Sequence, residues 1–316
     1  MSTTPTKPID TLNVLTAEQW LELETDISEP VLGSPEHCIV RPFTKNIIEA
    51  PEKAFKTTFT LRFTLGLSCG KTLFSQLPVF RSRRVLYIHG ELSPPEIKER
   101  TQAAVVGLPR PLDNFFQGRD LRIHLGNKTG QNPLIAFVMT YKPEVVVLDP
   151  WQSFITGCDE NSFEHISRVT HFLDTFIEAY KITLFIVTHT GKDRWRGTRG
   201  HSSLAGWRDT LFKLNRAKGQ DLVEVTVDPR WASPVKPFNL KFQEGILVPT
   251  DPRHLTPQMD EIVKMAKKEG GVTTKKEVGA ALGIKPESLS KALWRARKKG
   301  AISTEGKEVR LVLDEE

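Results

Sequence analysis

The reading of this chain turns on residues 45–72, "KNIIEAPEKAFKTTFTLRFTLGLSCGKT". Its last three residues, Gly70-Lys71-Thr72, are the tripeptide that commonly closes a phosphate-binding loop. Such a loop needs a strand before it and a helix after it. Helix N-terminal and loop amides cradle the anion, a lysine reaches its outer oxygens, and a hydroxyl meets a metal ion. "TTFTLRFTLGLS" before Gly70 is a plausible strand by composition, but a leading glycine is out of register by one, since Leu65 holds that place. Only "LFSQL" separates Thr72 from Pro78, and the next strand begins near Arg84. Barely one helical turn fits between them.

The upstream register meets the context better. Ile47 and Ile48 end a strand, "APEKAFKT" follows, and about a dozen residues can then be helical up to Gly70. Gly70 becomes the glycine that ends the helix. Lys56 and Thr57 fall at the lysine and hydroxyl positions, while Ala50 and Phe55 stand where glycines are expected. Without glycine this motif carries little weight on its own.

Around it, apolar runs alternate with helical patterns from about residue 36 to 230. "KNIIEA", "RRVLYIHG", "LRIHL", "EVVVLDP" and "ITLFIVTH" read as strands, most of them β-branched and continuous enough for burial on both faces. Ile166, Val169, Phe172, Leu173 and Phe176 in "SFEHISRVTHFLDTFIEAY" recur at helical spacing. Strands alternating with helices predict an α/β fold with a parallel central sheet covered on both sides. "LVEVTV", "FNLKF" and "ILVP" predict an antiparallel extension to about residue 249. Residues 1–35 read as a polar N-terminal arm containing one short helix, with Thr16 and Gln19 as its capping box.

The 316 residues suffice for two domains, and the net charge of +6 fits a nucleic-acid partner without requiring one. Cys38, Cys69 and Cys158 lack metal-ligand spacing. With no signal-peptide core and no apolar run of membrane-span length, a reduced, cytoplasmic protein is expected.

The stretch from about 40 to 217 resembles the RecA-fold ATPases of the plasmid RepA and DnaB-like hexameric helicase group, often found on mobile elements. Phosphate loops in that group are frequently degenerate, of the type Pro-Pro-Lys-x-x-Lys-Ser/Thr, and "APEKAFKTT" is similar, including the extra Lys53. "GKTLFSQLPVFRSRRVLYIHGE" resembles the connector and next strand of the group, which places Gly70-Lys71-Thr72 after the helix. The resemblance implies a RecA-like P-loop NTPase fold that binds ATP and Mg2+. It implies an ATP-contacting loop of Ala50, Pro51, Glu52, Lys53, Ala54, Phe55, Lys56, Thr57 and Thr58, with Thr57 and Asp149 at the metal. It places Glu91 where the group carries the glutamate that deprotonates the attacking water. "VVVLDP" resembles a Walker B strand ending in Asp149, and "LFIVTHTGK" the strand whose histidine, here His189, senses the γ-phosphate. The group often has two adjacent histidines, and here the first is Thr188. "RGTRGHSSLAGWRDTLFKLNR" resembles the region that supplies a cation to a neighbouring subunit's ATP, with Lys192, Arg199 and Arg208 as candidates. Taken singly, each has a plainer reading as a solvated glutamate, a strand-end histidine or a surface cation.

The chain then changes texture. "PTDPRHLTP" marks a linker, taken as residues 250–257, and 258–316 form a second domain after the 36–249 ATPase domain. "PQMDEIVKMAKKEGG", "TKKEVGAALGI" and "KPESLSKALWRARKKG" read as three helices, and "AISTEGKEVRLVL" as a hairpin, a pattern resembling a winged helix-turn-helix. The third helix, with Leu289, Leu293 and Trp294 as its core face, would enter the major groove. Ser288, Lys291, Arg295, Arg297, Lys298 and Lys299 on it, with Lys307 and Arg310 on the wing, are the expected DNA contacts; the alternative is a fold used for protein contact. The expectation for the whole is an ATP-hydrolysing, DNA-acting protein, a helicase-like motor or a replication accessory of a mobile element. It would form homo-oligomeric rings, such as hexamers, alongside replication proteins and away from membranes. An ATP-switched DNA-binding regulator or initiator, and a scaffold with an inactive ATP site, are the other readings.

Overall fold

The computed structural model describes residues 16–22, 29–190, 203–216, 221–250, 272–283, 286–298 and 302–311, with the single positions 262, 265 and 270. Up to residue 250 the order is α1 (Ala17–Leu21), β1 (Leu32–Gly33), β2 (Cys38–Val40), β3 (Lys45–Ala50), α2 (Lys56–Cys69), β4 (Val85–His89), α3 (Pro94–Ala104), β5 (Phe115–Gly118), α4 (Lys128–Tyr141), β6 (Val145–Asp149), α5 (Trp151–Phe154), α6 (Phe163–Tyr180), β7 (Thr183–His189), α7 (Ser203–Trp207), β8 (Thr210–Arg216), β9 (Leu222–Pro229), β10 (Val235–Gln243) and β11 (Ile246–Thr250).

Strand β6 is buried at every position, which is possible only with cover on both faces. The sheet supplies it. Nine strands lie in the order β11-β10-β9-β8-β3-β7-β6-β4-β5. The neighbours from β8 to β5 pair in parallel, and β8 to β11 pair antiparallel. Alternation along the strands divides the core. Val145, Val147, Phe185 and Val187 face α2 and α3, while Val146, Leu148, Leu184 and Ile186 face α4 and α6. The helical spacing read from Ile166 to Phe176 is observed, with Ile166, Val169, Leu173 and Phe176 buried.

Helix α2 begins at Lys56 and ends at Gly70, whose φ of 65° is left-handed. A Cβ at Gly70 would meet the backbone nitrogen of Ser82 at 2.7 Å, so glycine also permits the close return of the chain. The threonine-rich segment that composition alone would allow as a strand is therefore helical. Its hydroxyls are absorbed within the helix: Thr60 donates to the Lys56 carbonyl at 2.9 Å and Thr64 to the Thr60 carbonyl at 2.8 Å.

"LRIHL" is not a strand. Ile123 and Leu125 are buried anchors of an irregular segment whose amides donate to the carbonyls of Asp120, Gly130 and Phe154. The strand beside β4 is instead β5, upstream. Val31 and Leu32, within the arm read from the sequence, are buried in the main core, and the Thr16–Gln19 capping box is formed at 2.9 and 3.2 Å.

The C-terminal segment carries β12 (Val272–Thr274), α8 (Lys275–Leu282), α9 (Pro286–Lys298), β13 (Ile302–Glu305) and β14 (Glu308–Leu311). The hairpin is present, and β12 joins it in a sheet ordered β12-β14-β13. Ile262, Val278, Ala292, Leu293, Ala296, Ile302 and Val309 form the core. Trp294 corrects the expected core face of α9: it is 61% exposed. Leu289, Leu293 and Ala296 follow the i, i+4, i+7 stripe, and Trp294 lies one residue off it. The first of the three helices read there lies almost wholly outside the described residues, as do linker residues 251–257.

Candidate nucleotide site

In an open parallel sheet, loops at the carboxyl ends of the strands leave a crevice that ligands can occupy. Here β3, β6 and β7 end around a cavity of about 320 Å³. Its walls bring together Lys56, Thr57, Glu91, Asp149 and His189, residues from four different segments of the chain. The N-terminus of α2 opens onto it with no side chain capping it, so first-turn amides and the positive end of the helix dipole are available to an anion.

Lys56 Nζ lies 2.6 Å from Nδ1 of His189. An ammonium can only donate, so this nitrogen of the imidazole accepts. Burial holds the Lys56 pKa below the ordinary lysine range, opposed by the charges of Asp149, Glu91 and Glu52. Asp149 is 3% exposed and accepts a 2.7 Å hydrogen bond from the Tyr87 hydroxyl. Burial pushes its pKa up to about 6, against the hydrogen bonds of Tyr87 and Thr57 and the charge of Lys56. Perturbed titrating groups gathered in one cleft are a physical signature of a working site.

This strain on Asp149 has a measurable consequence. Its folded-state pKa is raised, so the protonated form favours folding, and that contribution is lost as pH rises from about 4 through 6. Above pH 6 the buried carboxylate costs on the order of 3 kcal/mol. Asp149→Asn keeps an acceptor for Tyr87 and removes the charge. The variant is expected to melt several degrees higher than the wild type at pH 7.5, with the gap closing near pH 4. Equal melting temperatures at pH 7.5 would refute the assignment of that cost.

The oxygen donors Thr57 and Asp149 both line the cavity and would suit a hard divalent ion such as Mg2+. Among the described residues no cluster of three or more His, Cys, Asp or Glu could hold a metal.

The remaining loop residues divide. Lys53, Ala54, Phe55 and Thr58 line the cavity with Lys56 and Thr57. Ala50, Pro51 and Glu52 do not; Ala50 is fully buried, and its carbonyl accepts from the Thr190 amide. Arg208 precedes β8, and the neighbouring Asp209 amide donates to the carbonyl of Lys45 at the start of β3, so Arg208 sits at the opposite end of the sheet from the cavity of its own chain. Lys192 and Arg199 lie outside the described residues. Lys71 is also remote: it follows the far end of the 14-residue α2, roughly 20 Å from Lys56, and donates to the Gly107 carbonyl at 2.9 Å.

Three cavity residues escaped the sequence reading, Pro150 next to Asp149, Arg100 on α3 and Arg216 at the end of β8. The Ser93–Glu96 capping box with Pro94 after it marks where α3 starts, but nothing local aims Arg100 at the site. Arg216 closes the segment in which the resemblance implies Arg199 and Arg208, not Arg216, as the cations.

In the C-terminal segment Ser288, Lys291, Arg297 and Lys307 are exposed. Arg310 is half exposed and held by Glu308 at 2.8 Å and Glu305 at 3.5 Å, which lessens its availability to phosphate. Lys299 and the side chains of Arg295 and Lys298 lie outside the described residues. No helix among the described residues is long and apolar enough to cross a membrane.

Residues 44–194 match the family model described as an AAA domain. That span holds β3, β4, β6 and β7 and all five residues that converge on the cavity. A search of curated proteins found no match. Among solved structures the chain is similar to "Crystal structure of the RadB recombinase", with 14% identity, 66% of this chain and 92% of that chain covered, and a TM-score of 0.45. Residues 44–194, a little under half of the chain, are thus similar to an AAA domain, and they hold the parallel strands that end at the cavity.

Proposed function

We propose that this protein is a Mg2+-dependent ATPase that works on DNA, as a helicase-like motor or a replication accessory. The convergence of Lys56, Thr57, Glu91, Asp149 and His189 on one cavity at a helix N-terminus carries the reading. Lys56 and the α2 amides bind the phosphates, with Lys53 at the loop's edge. Thr57 and Asp149 would hold the metal ion, which would screen the phosphate charge. Glu91, exposed at the rim, takes the proton of the attacking water. When ATP draws Lys56 to its phosphates, the Lys56–His189 hydrogen bond is exchanged for one to the nucleotide, so His189 registers which state is bound. A neighbouring copy completes the site through a cation among Lys192, Arg199 and Arg208, which accords with an oligomer.

DNA contact is assigned to the C-terminal segment as a winged helix-turn-helix, with α9 as the recognition helix. The exposed cations and Ser288 on its outer face, and Lys307 in the hairpin turn, support this. The deciding experiment measures ATP turnover with no DNA, with single strands and with duplex. DNA-stimulated turnover is expected, whereas ATP-dependent assembly with negligible turnover would favour the switched regulator.

A companion titration tests the second domain. Deleting residues 255–316, or replacing Arg295, Arg297, Lys298 and Lys299 by alanine, should weaken duplex binding and leave the ATPase domain folded. The slope of log affinity against log salt should flatten by about 0.9 for each phosphate contact removed. Unchanged affinity and slope would move this segment into the protein-contact class.

A further inference from the structure

Glycine is absent from the phosphate loop, yet the loop keeps glycine's backbone. Lys53 has φ 58° and Phe55 φ 59°, both left-handed. For a residue as bulky as phenylalanine this is an outlier that persists only when its surroundings hold it. The surroundings are specific. The Arg216 guanidinium carbon lies 4.1 Å from the Phe55 ring centroid. The Phe242 ring stacks on Phe55 with centroids 4.2 Å apart and planes 9° from parallel. Two groups this close to one ring centroid cannot share a face, so Phe55 is sandwiched. Arg216 Nη1 also donates to the carbonyl of Lys53, so one arginine engages both left-handed residues.

The two sides of the sandwich are tied together. Asp221 pairs with Arg216 at 3.5 Å, and its carbonyl accepts from the Phe242 amide at 2.6 Å. Arg216 ends β8 and Phe242 lies near the end of β10, so the clamp belongs to the antiparallel extension. We infer that Arg216 and Phe242 are positioning residues that replace the missing glycines, holding the loop through Phe55 in the shape that receives phosphate. The inference rests on the nucleotide reading of the cavity, and it gives the antiparallel extension a role in nucleotide binding.

The test titrates Mg-ATP into the full chain and into Phe242→Ala, Arg216→Lys, Phe55→Gly and Phe55→Gly/Phe242→Ala variants. Phe242→Ala should weaken binding about tenfold, because the unheld loop loses its binding shape to relaxation. Arg216→Lys should do likewise, since an ammonium keeps the charge but not the planar stack. Glycine at position 55 needs no clamp, so Phe242→Ala in that background should change affinity by no more than about twofold. Equal losses in both backgrounds, or none in the wild type, would overturn the clamp. Amide exchange over residues 50–58 without nucleotide separates this from failure of the ATP reading. Phe242→Ala should raise it about tenfold while β3 and β6 stay protected. Unchanged exchange overturns the clamp even if the protein binds no ATP, whereas raised exchange with no ATP binding sustains the clamp and refutes the nucleotide reading.

Discussion

Lys56→Ala should reduce ATP hydrolysis by on the order of a hundredfold to a thousandfold, the loss typical of removing one preorganised positive group from developing phosphate charge. Lys71→Ala should leave most of the activity. The contrast is informative because Lys71 belongs to the sequence that looks more like a phosphate loop. Its ammonium is engaged with the Gly107 carbonyl beyond the carboxyl end of α2, where the helix dipole is negative and repels an anion. Lys56 stands at the positive end, inside the cavity, beside His189. Folding should survive its removal, since burial already disfavours its charged form. Circular dichroism beside the turnover assay checks this. Loss of nucleotide binding in a folded Lys71→Ala variant, with Lys56→Ala active, would reverse the register.

Glu91→Gln should bind ATP as the wild type does and turn it over about a hundredfold more slowly or worse, because the amide keeps the shape but cannot accept a proton. Binding should hold because Glu91 is exposed at the rim of the cavity, whereas the loop is held by Arg216 and Phe242. Its charge also bears on the site: it favours the charged form of Lys56 and disfavours that of Asp149. Removing it should ease ionisation of Asp149 and weaken the charge on Lys56, two opposed effects that leave binding close to wild type while the chemical step is lost. A single-turnover measurement separates the two. Unchanged turnover would remove Glu91 from the mechanism.

Much of the fold was legible because its signals are local. A strand buried on both faces reads as a near-continuous apolar run, and β4, β6 and β7 are such runs, while β3 keeps the apolar pair Ile47 and Ile48 between buried Asn46 and Glu49. The placement of Lys56 at a helix start followed from counting residues to Gly70, since a helix between two strands needs length. "LRIHL" misled because its alternation satisfies burial without strand pairing. Trp294 misled because a large apolar residue need not lie on the buried stripe. Arg100 and Arg216 were invisible for another reason. A cation's direction depends on which element packs beside its own, and neither spacing nor composition encodes that.

By itself, then, the sequence determined the alternation of strands and helices, the parallel core, the antiparallel extension and the register that makes Lys56 the lysine at the helix start. It could not determine whether a loop without glycine would adopt a glycine-like path. Read alone, Phe55 argues against the motif, because a phenylalanine backbone resists φ near 60°. The tertiary structure decided the matter by bringing Arg216 and Phe242, distant in the chain, onto the two faces of that ring. Backbone preference is a local energy of a few kcal/mol at most, and contacts between strands that meet only in the folded sheet are large enough to override it.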